Sequence, residues 1–440
     1  MNSALNTGDT AWVLVSSALV LLMTPGLAFF YGGMVQARHV VSTVFQSVIT
    51  MAVVGLIWAV IGYSLAFSGD FHGLIGNFHN FALRGVGQDP NADYAATIPH
   101  LAFMLFQAMF AVITPALITG AFAERIRFKA WIWFSALWSI FVYLPVAHWV
   151  WGNGGWIHQL GGLDFAGGLV VHMTAGYAAL VAALLFRKRE DFGKPEVKTY
   201  DTGMVVLGTA LLWFGWFGFN AGSALAANGL AAQAFATTFF AAAAAMAAWT
   251  WVDSKKKGKP SAIGACVGAV AGLVAITPAA GFVTPMAAIA IGLITGSFCN
   301  FSVSFLKERL HLDDTLDVFG CHGIGGTIGT LLTGVFATKS VNSSGADGLL
   351  YGNPSLLGVQ LLSALAVVAF TVVCTFVIIK AVGALTPIQL TTEEEREGLD
   401  WIEHGERINS LSHPNQPGFW RNDSGTTETA LRDEPEVVLD

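Results

Sequence analysis

Charge is scarce in this 440-residue chain: lysine, arginine, aspartate and glutamate make up 12% of it, against 54% hydrophobic residues. A soluble domain carries roughly a quarter charged residues, so this composition cannot cover a water-facing surface. Paired cysteines are lacking too. Cys266, Cys299, Cys321 and Cys374 lie singly in apolar runs without a CxxC spacing and read as packing thiols. No GxxxxGK[ST] occurs, because the Gly-Lys pairs at 193–194 and 258–259 are each followed by proline. HExxH and GxSxG are absent as well. A phosphate-cradling loop, a zinc-peptidase helix and a nucleophile elbow are thereby excluded, and no enzyme activity, metal or cofactor is expected. The basic run Lys255–Lys259 is a short loop between apolar runs, not a nucleic-acid surface. The first ten residues hold no lysine or arginine, which argues against a cleaved signal peptide.

What the chain has in abundance is long apolar runs. Eleven of them, near 11–33, 40–67, 99–122, 130–149, 166–186, 201–221, 230–252, 261–278, 285–305, 316–336 and 355–383, reach or approach the roughly 20 residues that a bilayer crossing needs. The expected fold is all-α and polytopic, with eleven transmembrane helices over 11–383 and residues 1–10 as a short outer segment. The 49 glycines suit helices that pack closely in lipid.

Charge placement orients the chain. With the N-terminus outside, the inner loops carry Arg38; Arg125, Arg127 and Lys129; Arg187, Lys188, Arg189, Lys194 and Lys198; Lys255, Lys256, Lys257 and Lys259; and Lys307 and Arg309. The outer loops carry only Arg84 and Lys339. This asymmetry obeys the positive-inside rule and leaves the C-terminus in the cytoplasm. After Gly383 the composition turns polar, giving a cytoplasmic tail at 384–440, of which 409–440 reads as disordered.

The first ten helices fall into two weakly similar fives. The fifth contains His172-Met-Thr-Ala-Gly176 and the tenth His322-Gly-Ile-Gly-Gly326, the same His-x-x-x-Gly spacing, preceded by Asp164 and Asp317. Because five is odd, the second five would be inverted relative to the first, placing a transport site near the midplane. Chance agreement between glycine-rich helices is the competing account.

His172 and His322 are the sharpest feature. Ionisable groups at membrane depth are costly and usually face a cavity or a partner. One neutral imidazole can donate to the other and leave an acceptor nitrogen free. The bland alternative is a histidine bonded to nearby backbone. Phe106, Phe110, Trp151, Trp216 and Phe219 lie near helix ends on the expected outer side. With a hydroxyl such as Ser223 they could hold a small cation. Interfacial tryptophan and core phenylalanine are the alternative. Asp164 stands at the start of its helix as a candidate N-cap, and Asp317 looks similar; a long-range field favouring a cation is the other reading of Asp164.

Five stretches stand out in order along the chain: Pro25-Gly-Leu-Ala-Phe-Phe-Tyr-Gly-Gly33, Ala121-Phe-Ala-Glu-Arg-Ile-Arg-Phe128, Leu163-Asp-Phe-Ala-Gly-Gly168 with His172, Gly215-Trp-Phe-Gly-Phe-Asn-Ala-Gly-Ser223, and Asp317-Val-Phe-Gly-Cys-His322-Gly. Together they resemble the ammonium transporter family (Amt/Mep/Rh), on its Amt side. The resemblance runs from about residue 11 to 406. It implies a homotrimer in the cell membrane, with one hydrophobic pore for ammonium or ammonia in each subunit. It further implies an outer recruitment site at Phe106, Phe110, Trp151 and Ser223, and a phenyl gate at Phe110 and Phe219. The pore would be lined by His172, His322 and Trp216, with Asp164 as support. The tail segment Glu397-Gly398-Leu399-Asp400-Trp-Ile-Glu-His404-Gly405-Glu406 is similar to the family's cytoplasmic regulatory segment, which implies coupling between subunits and a PII-type signalling partner. The sequence departs from the family pattern after Glu406. A net ammonium transporter is the expected function; an electroneutral NH₃ channel and an ammonium receptor are the alternatives.

Overall fold

The computed structural model describes residues 5–194 and 199–408; the stretch expected to be disordered, 409–440, lies outside them. The described chain is helical almost throughout. Its helices are α1 (Thr7–Met34), α2 (Val40–Val48), α3 (Thr50–Ile57), α4 (Tyr63–Phe67), α5 (His100–Ile118), α6 (Phe128–Trp138), α7 (Leu144–Trp151), α8 (Trp156–Leu160) and α9 (Thr174–Leu185). They continue as α10 (Thr202–Gly222), α11 (Gly229–Lys257), α12 (Ala262–Ile276), α13 (Pro285–Glu308), α14 (Ile324–Phe336), α15 (Pro354–Leu385), α16 (Thr392–Glu397) and α17 (Leu399–His404). Every apolar run of the sequence is a helix or a stack of helical segments. Nine helical stretches among the described residues are long and apolar enough to cross a membrane. The runs at 261–278 and 316–336 are not among the nine: the first is the 15-residue α12, and the second is a π-helical turn at Phe319–Gly323 followed by the 13-residue α14.

Helix starts follow local chemistry. Asn6 accepts the Asp9 N–H and starts α1 at Thr7, ahead of the expected residue 11, because a polar first turn can still be helical once capped. Asp201, Asn228, Ser261 and Thr284 cap α10 to α13 in the same way. Hydropathy does not reveal the short hairpin of β1 (Pro90–Asn91) and β2 (Ala95–Pro99) in the long loop before α5.

Glycine sets the packing that places the site. α1 lies along α10, where Gly208 meets the Phe30 backbone and Gly215 meets Met23 so closely that a Cβ would collide at 2.3 and 2.2 Å. Backbones approaching this closely gain dispersion contacts that lipid does not supply. α12 is buried almost all round from Gly264 to Ile276, as a helix apolar on every face must be.

The tail folds back onto the end of the bundle that carries the basic loops. Thr391 and Glu394 form a capping box that starts α16. Arg127 reaches Glu394 at 2.7 Å and Glu403 at 3.1 Å. Asp400, buried, accepts the N–H groups of Val41 and Ser42 at 3.0 and 2.8 Å, so the tail caps the start of α2. The Leu399 N–H donates to His39 Nδ1, and the His404 ring packs edge-on against Phe45 and Phe128. Gly398 has φ +104° and lies so close to Arg38 that a Cβ would sit 2.6 Å from its carbonyl oxygen. Gly405 ends α17 at φ +66°, and the Glu406 N–H returns to the Asp400 carbonyl at 3.1 Å. All six tail residues singled out in the sequence therefore belong to one docked unit.

Candidate functional site

Both histidines sit in π-helical turns, His172 in Gly168–Met173 and His322 in Phe319–Gly323. Such turns leave helix-start amides to be satisfied from outside the helix, and they are frequent at functional sites. Asp164 does this ahead of His172. Its carboxylate accepts the N–H groups of Gly167, Gly168, Leu169 and Val170 at 2.8, 2.6, 2.8 and 3.3 Å. The equivalent acid ahead of His322 is Asp314, whose Oδ2 accepts the Phe319 N–H at 2.7 Å.

Asp317 does not take the capping role that the sequence pattern assigns to it. Its carboxylate pairs with Lys307 at 2.7 Å, and its backbone lies in the left-handed region at φ +60°. Asp164 and Asp314 each precede their histidine by eight residues, whereas Asp317 precedes His322 by only five. Asp314 is buried and its Oδ1 has no hydrogen-bond partner among the described residues; burial, with Asp317 nearby, pushes this carboxyl up to about 6. Asp313, next to it, is also raised by burial, but Arg125 and Arg189 outweigh that and hold it below the usual carboxylate range.

The two His-x-x-x-Gly segments interlock. A Cβ on Gly176 would lie 2.0 Å from the Gly323 nitrogen, and one on Gly326 would lie 3.1 Å from the His172 Cβ. This contact brings the imidazoles face to face. Their centroids are 5.3 Å apart at 29°, with Nδ1 to Nδ1 at 3.2 Å. Both residues are buried, His172 1% and His322 3% exposed, so the pair is shielded from bulk water.

An aromatic series leads to the pair from one side. His172 stacks on Trp216 at 5.3 Å and on Phe219 at 5.9 Å. Phe219 meets Phe110 at 4.4 Å and 45°, and Phe110 meets Trp151 edge-on at 5.8 Å. A cavity of ≈ 150 Å³ opens beyond Phe110, lined among others by Trp151, Ser223, Tyr94, Gln107 and Phe165. The Ser223 hydroxyl donates to the Phe219 carbonyl at 2.9 Å, which leaves its oxygen lone pairs as acceptors. Trp151 Nε1 donates to the main-chain carbonyl of Asp164 at 3.0 Å.

Phe106 is placed differently from its companions. It is fully buried behind Phe110, edge-on at 4.9 Å, and does not line the cavity. It supports the ring that does.

Several residues of the site carry weak sequence signals. Gln107 lies in the apolar run of α5, one turn before Phe110; its Oε1 is buried without a partner among the described residues, and a lone amide in such a run is a usable clue. Asp314 could have been found by requiring the same eight-residue spacing as Asp164. Thr277, which accepts from Trp216 Nε1 at 2.9 Å, carries no pattern that distinguishes it. On the far side of the histidines, next to the basic loops, a second cavity of ≈ 570 Å³ is lined by Arg189, Asp191, Lys194, Lys307, His311 and Leu316 among others.

The arrangement can attract a small cation to aromatic faces and acceptor oxygens, exclude water behind two phenyl rings, and offer imidazole nitrogens beyond them. The chain is similar to known proteins along most of its length. A family model described as Ammonium Transporter Family matches residues 11–408. An ammonium transporter of Bacillus subtilis is 53% identical over 402 residues, covering 91% of this chain and 98% of that protein. The crystal structure of Saccharomyces cerevisiae Mep2 superposes with a TM-score of 0.84 at 38% identity, covering 89% of each chain. A structure described as a sensor Amt protein superposes with a TM-score of 0.83 at 30% identity, covering 90% of this chain and 98% of that one.

Proposed function

The chain belongs to the Ammonium Transporter Family, and from that premise we propose that it carries net ammonium by recruiting NH₄⁺ at the Trp151–Phe110–Ser223 mouth, deprotonating it, and passing NH₃ between His172 and His322. That it is a multi-pass membrane transporter of ammonium or ammonia follows from the family itself. The finer steps rest on one observation above the others: the aromatic series ends on two imidazoles in direct contact.

Magnitudes favour splitting the ion. Removing water from an unpaired cation costs tens of kcal/mol in the idealised Born limit. Cation–π contacts return about 1–2 kcal/mol each. The mouth therefore gathers ammonium without being able to carry the intact ion through a dry bore. Neutral ammonia crosses that bore between the two hydrogen-bonded imidazoles, while the proton passes separately. A cation site at the mouth serves little purpose in a pore for neutral gas alone, and this favours net charge movement over the electroneutral channel.

The assembly belongs to the same proposal. All eleven apolar runs cross the lipid bilayer of the cell membrane with the N-terminus outside, the two five-helix halves are inverted repeats, and three subunits form a homotrimer. Residues 384–440 form a cytoplasmic regulatory tail, and its docked segment, Gly398 to Glu406, meets a PII-type signalling protein. The deciding measurement is electrical recording on reconstituted protein during an ammonium pulse, where inward charge is expected. Ammonia flux without charge would move the assignment to the electroneutral channel. The likeness to a sensor Amt protein gives the receptor reading its one support. Failure to restore growth in an ammonium-uptake-deficient cell, together with ammonium-dependent recruitment of a partner, would favour the receptor.

A further inference from the structure

The twin histidines occupy matched helices, yet their outer ring nitrogens have different partners. Nε2 of His172 lies 3.3 Å from the Thr277 hydroxyl oxygen, while no described residue hydrogen-bonds Nε2 of His322. Thr277 is fully buried, and its oxygen is also 2.9 Å from Trp216 Nε1 and 2.8 Å from the Leu273 carbonyl one turn earlier in α12.

A hydroxyl has one proton to give and two lone pairs to share. Indole Nε1 only donates, and a carbonyl oxygen only accepts, so the Trp216 contact uses one lone pair and the short Leu273 contact takes the proton. What remains for His172 is the second lone pair. The His172 Nε2 must therefore carry its hydrogen and donate it to Thr277. A neutral imidazole has only one N–H, so Nδ1 of His172 is left as an acceptor. Across the 3.2 Å contact the donor is then Nδ1–H of His322, which leaves the second nitrogen of His322 with an unshared lone pair.

We infer that Thr277 is a positioning residue that fixes both imidazole tautomers, so that the one unshared lone pair of the pair lies on Nε2 of His322, on the side away from the aromatic mouth. The chain of donors runs from His322 to His172 to Thr277 to Leu273, and its direction is set by a hydroxyl whose capacity is filled. Two histidines that look equivalent in sequence are thus unequal in chemistry. His172 presents no free acceptor to a species arriving past Phe219, and His322 presents one to a species that has passed between the rings. The bearing of this polarity on conduction rests on the proposed pore; the tautomers themselves do not.

Nitrogen-15 magnetic resonance of the full chain, labelled at histidine and reconstituted in lipid, reads the tautomers directly. His322→Gln and His172→Gln difference spectra identify the two rings. The expected spectrum has His172 as the Nε2–H form and His322 as the Nδ1–H form. Thr277→Ser, which keeps the hydroxyl, retains that split, and Thr277→Val, which is nearly isosteric but accepts nothing, loses it to a mixture or a reversal. His172 found as the Nδ1–H form in the unaltered chain would overturn the assignment. A folded Thr277→Val protein with an unchanged spectrum would overturn the role of Thr277. Ammonium flux measured on the same samples separates the two readings: absent flux with the tautomer split intact removes the pore while leaving the assignment standing.

Discussion

Gly176 and Gly323 touch backbone to backbone where the two histidine segments cross, leaving only 2.0 Å between an added Gly176 Cβ and the Gly323 nitrogen. The atom in the way is main chain and cannot rotate aside. Gly176→Ala must push the two segments apart, which costs about 1–3 kcal/mol by overpacking and separates the imidazoles. A lower melting temperature and reduced ammonium uptake are the expected results. Gly383→Ala, where a Cβ would meet nothing within 4 Å, is the control and should leave the melting temperature unchanged. Equal behaviour of the two variants would refute the argument.

Phe110 takes part in both the cavity wall and the ring contact with Phe219. Its replacement by alanine removes a cation–π face worth about 1–2 kcal/mol, so half-saturation by ammonium should move upward by roughly tenfold. Phe106→Ala acts only through the ring it supports and should shift half-saturation less. The concentration dependence of flux in liposomes distinguishes them, and a larger effect at Phe106 would contradict the placement of the mouth.

Asp164 satisfies four backbone amides in a buried setting, and Asp314 satisfies one through a single oxygen. Hydrogen bonds to a charged acceptor contribute about 1.5–3 kcal/mol each, and leaving their donors buried without partners is costly. Asp164→Ala should therefore lower thermal stability more than Asp314→Ala, with Asp164→Asn between them because one amide oxygen remains. Thermal unfolding in detergent checks the order. Asp317→Asn, which suits the left-handed backbone at φ +60° and loses only a partly exposed pair with Lys307, should be the mildest of the set.

The docked tail should hold best in a mildly acidic window. Burial raises Asp400 from 3.8 to about 6, so docking takes up a proton; its contribution is complete below pH 3.8 and is lost as pH rises through about 6. The hydrogen bonds from Arg127 hold Glu394 below the usual glutamate range, so its contribution is present above that range and is lost on acidification. Protease cleavage of residues 391–406 should then be slowest between these limits. Asp400→Asn should flatten the rise on the alkaline side and Glu394→Gln the rise on the acid side. Cleavage independent of pH in the unaltered chain would contradict both assignments.

His172→Ala and His322→Ala should each abolish most ammonium-driven charge movement while the protein still folds, because neither ring caps a helix or fills an ion pair. The tautomer argument makes them unequal. Loss of His172 frees the Thr277 acceptor and leaves His322 without its acceptor partner, whereas loss of His322 removes its Nε2 lone pair and uncovers the Nδ1 lone pair of His172 instead. A folded variant at either position that transports normally would return the pair to simple packing.

Much of this was legible in the residues. Helix positions follow from solvation alone, since apolar runs of bilayer length have few other uses, and each run is helical. The histidine pair was legible because imidazoles are costly at membrane depth and because their glycine spacing repeats. Asp314 was not, because the sequence pattern looks for an acid near the histidine, while a π-turn demands one far enough back to reach free amides. Phe106 could not be separated from Phe110 by sequence, since the two differ by which face of α5 the neighbouring helices cover. Thr277 depends on where the end of α12 lies beside α10, a long-range placement that no local pattern records.

One residue, Asp164, grips the indole of the mouth with its carbonyl and the histidine-bearing turn with its carboxylate. Mouth and histidine-bearing turn are thereby held at one fixed spacing, so in the proposed pathway a molecule leaving the mouth meets the His172 ring without that turn having to move. If the proposed pathway is a standing track of this kind, the temperature dependence of flux should be shallow compared with that of carriers that rock.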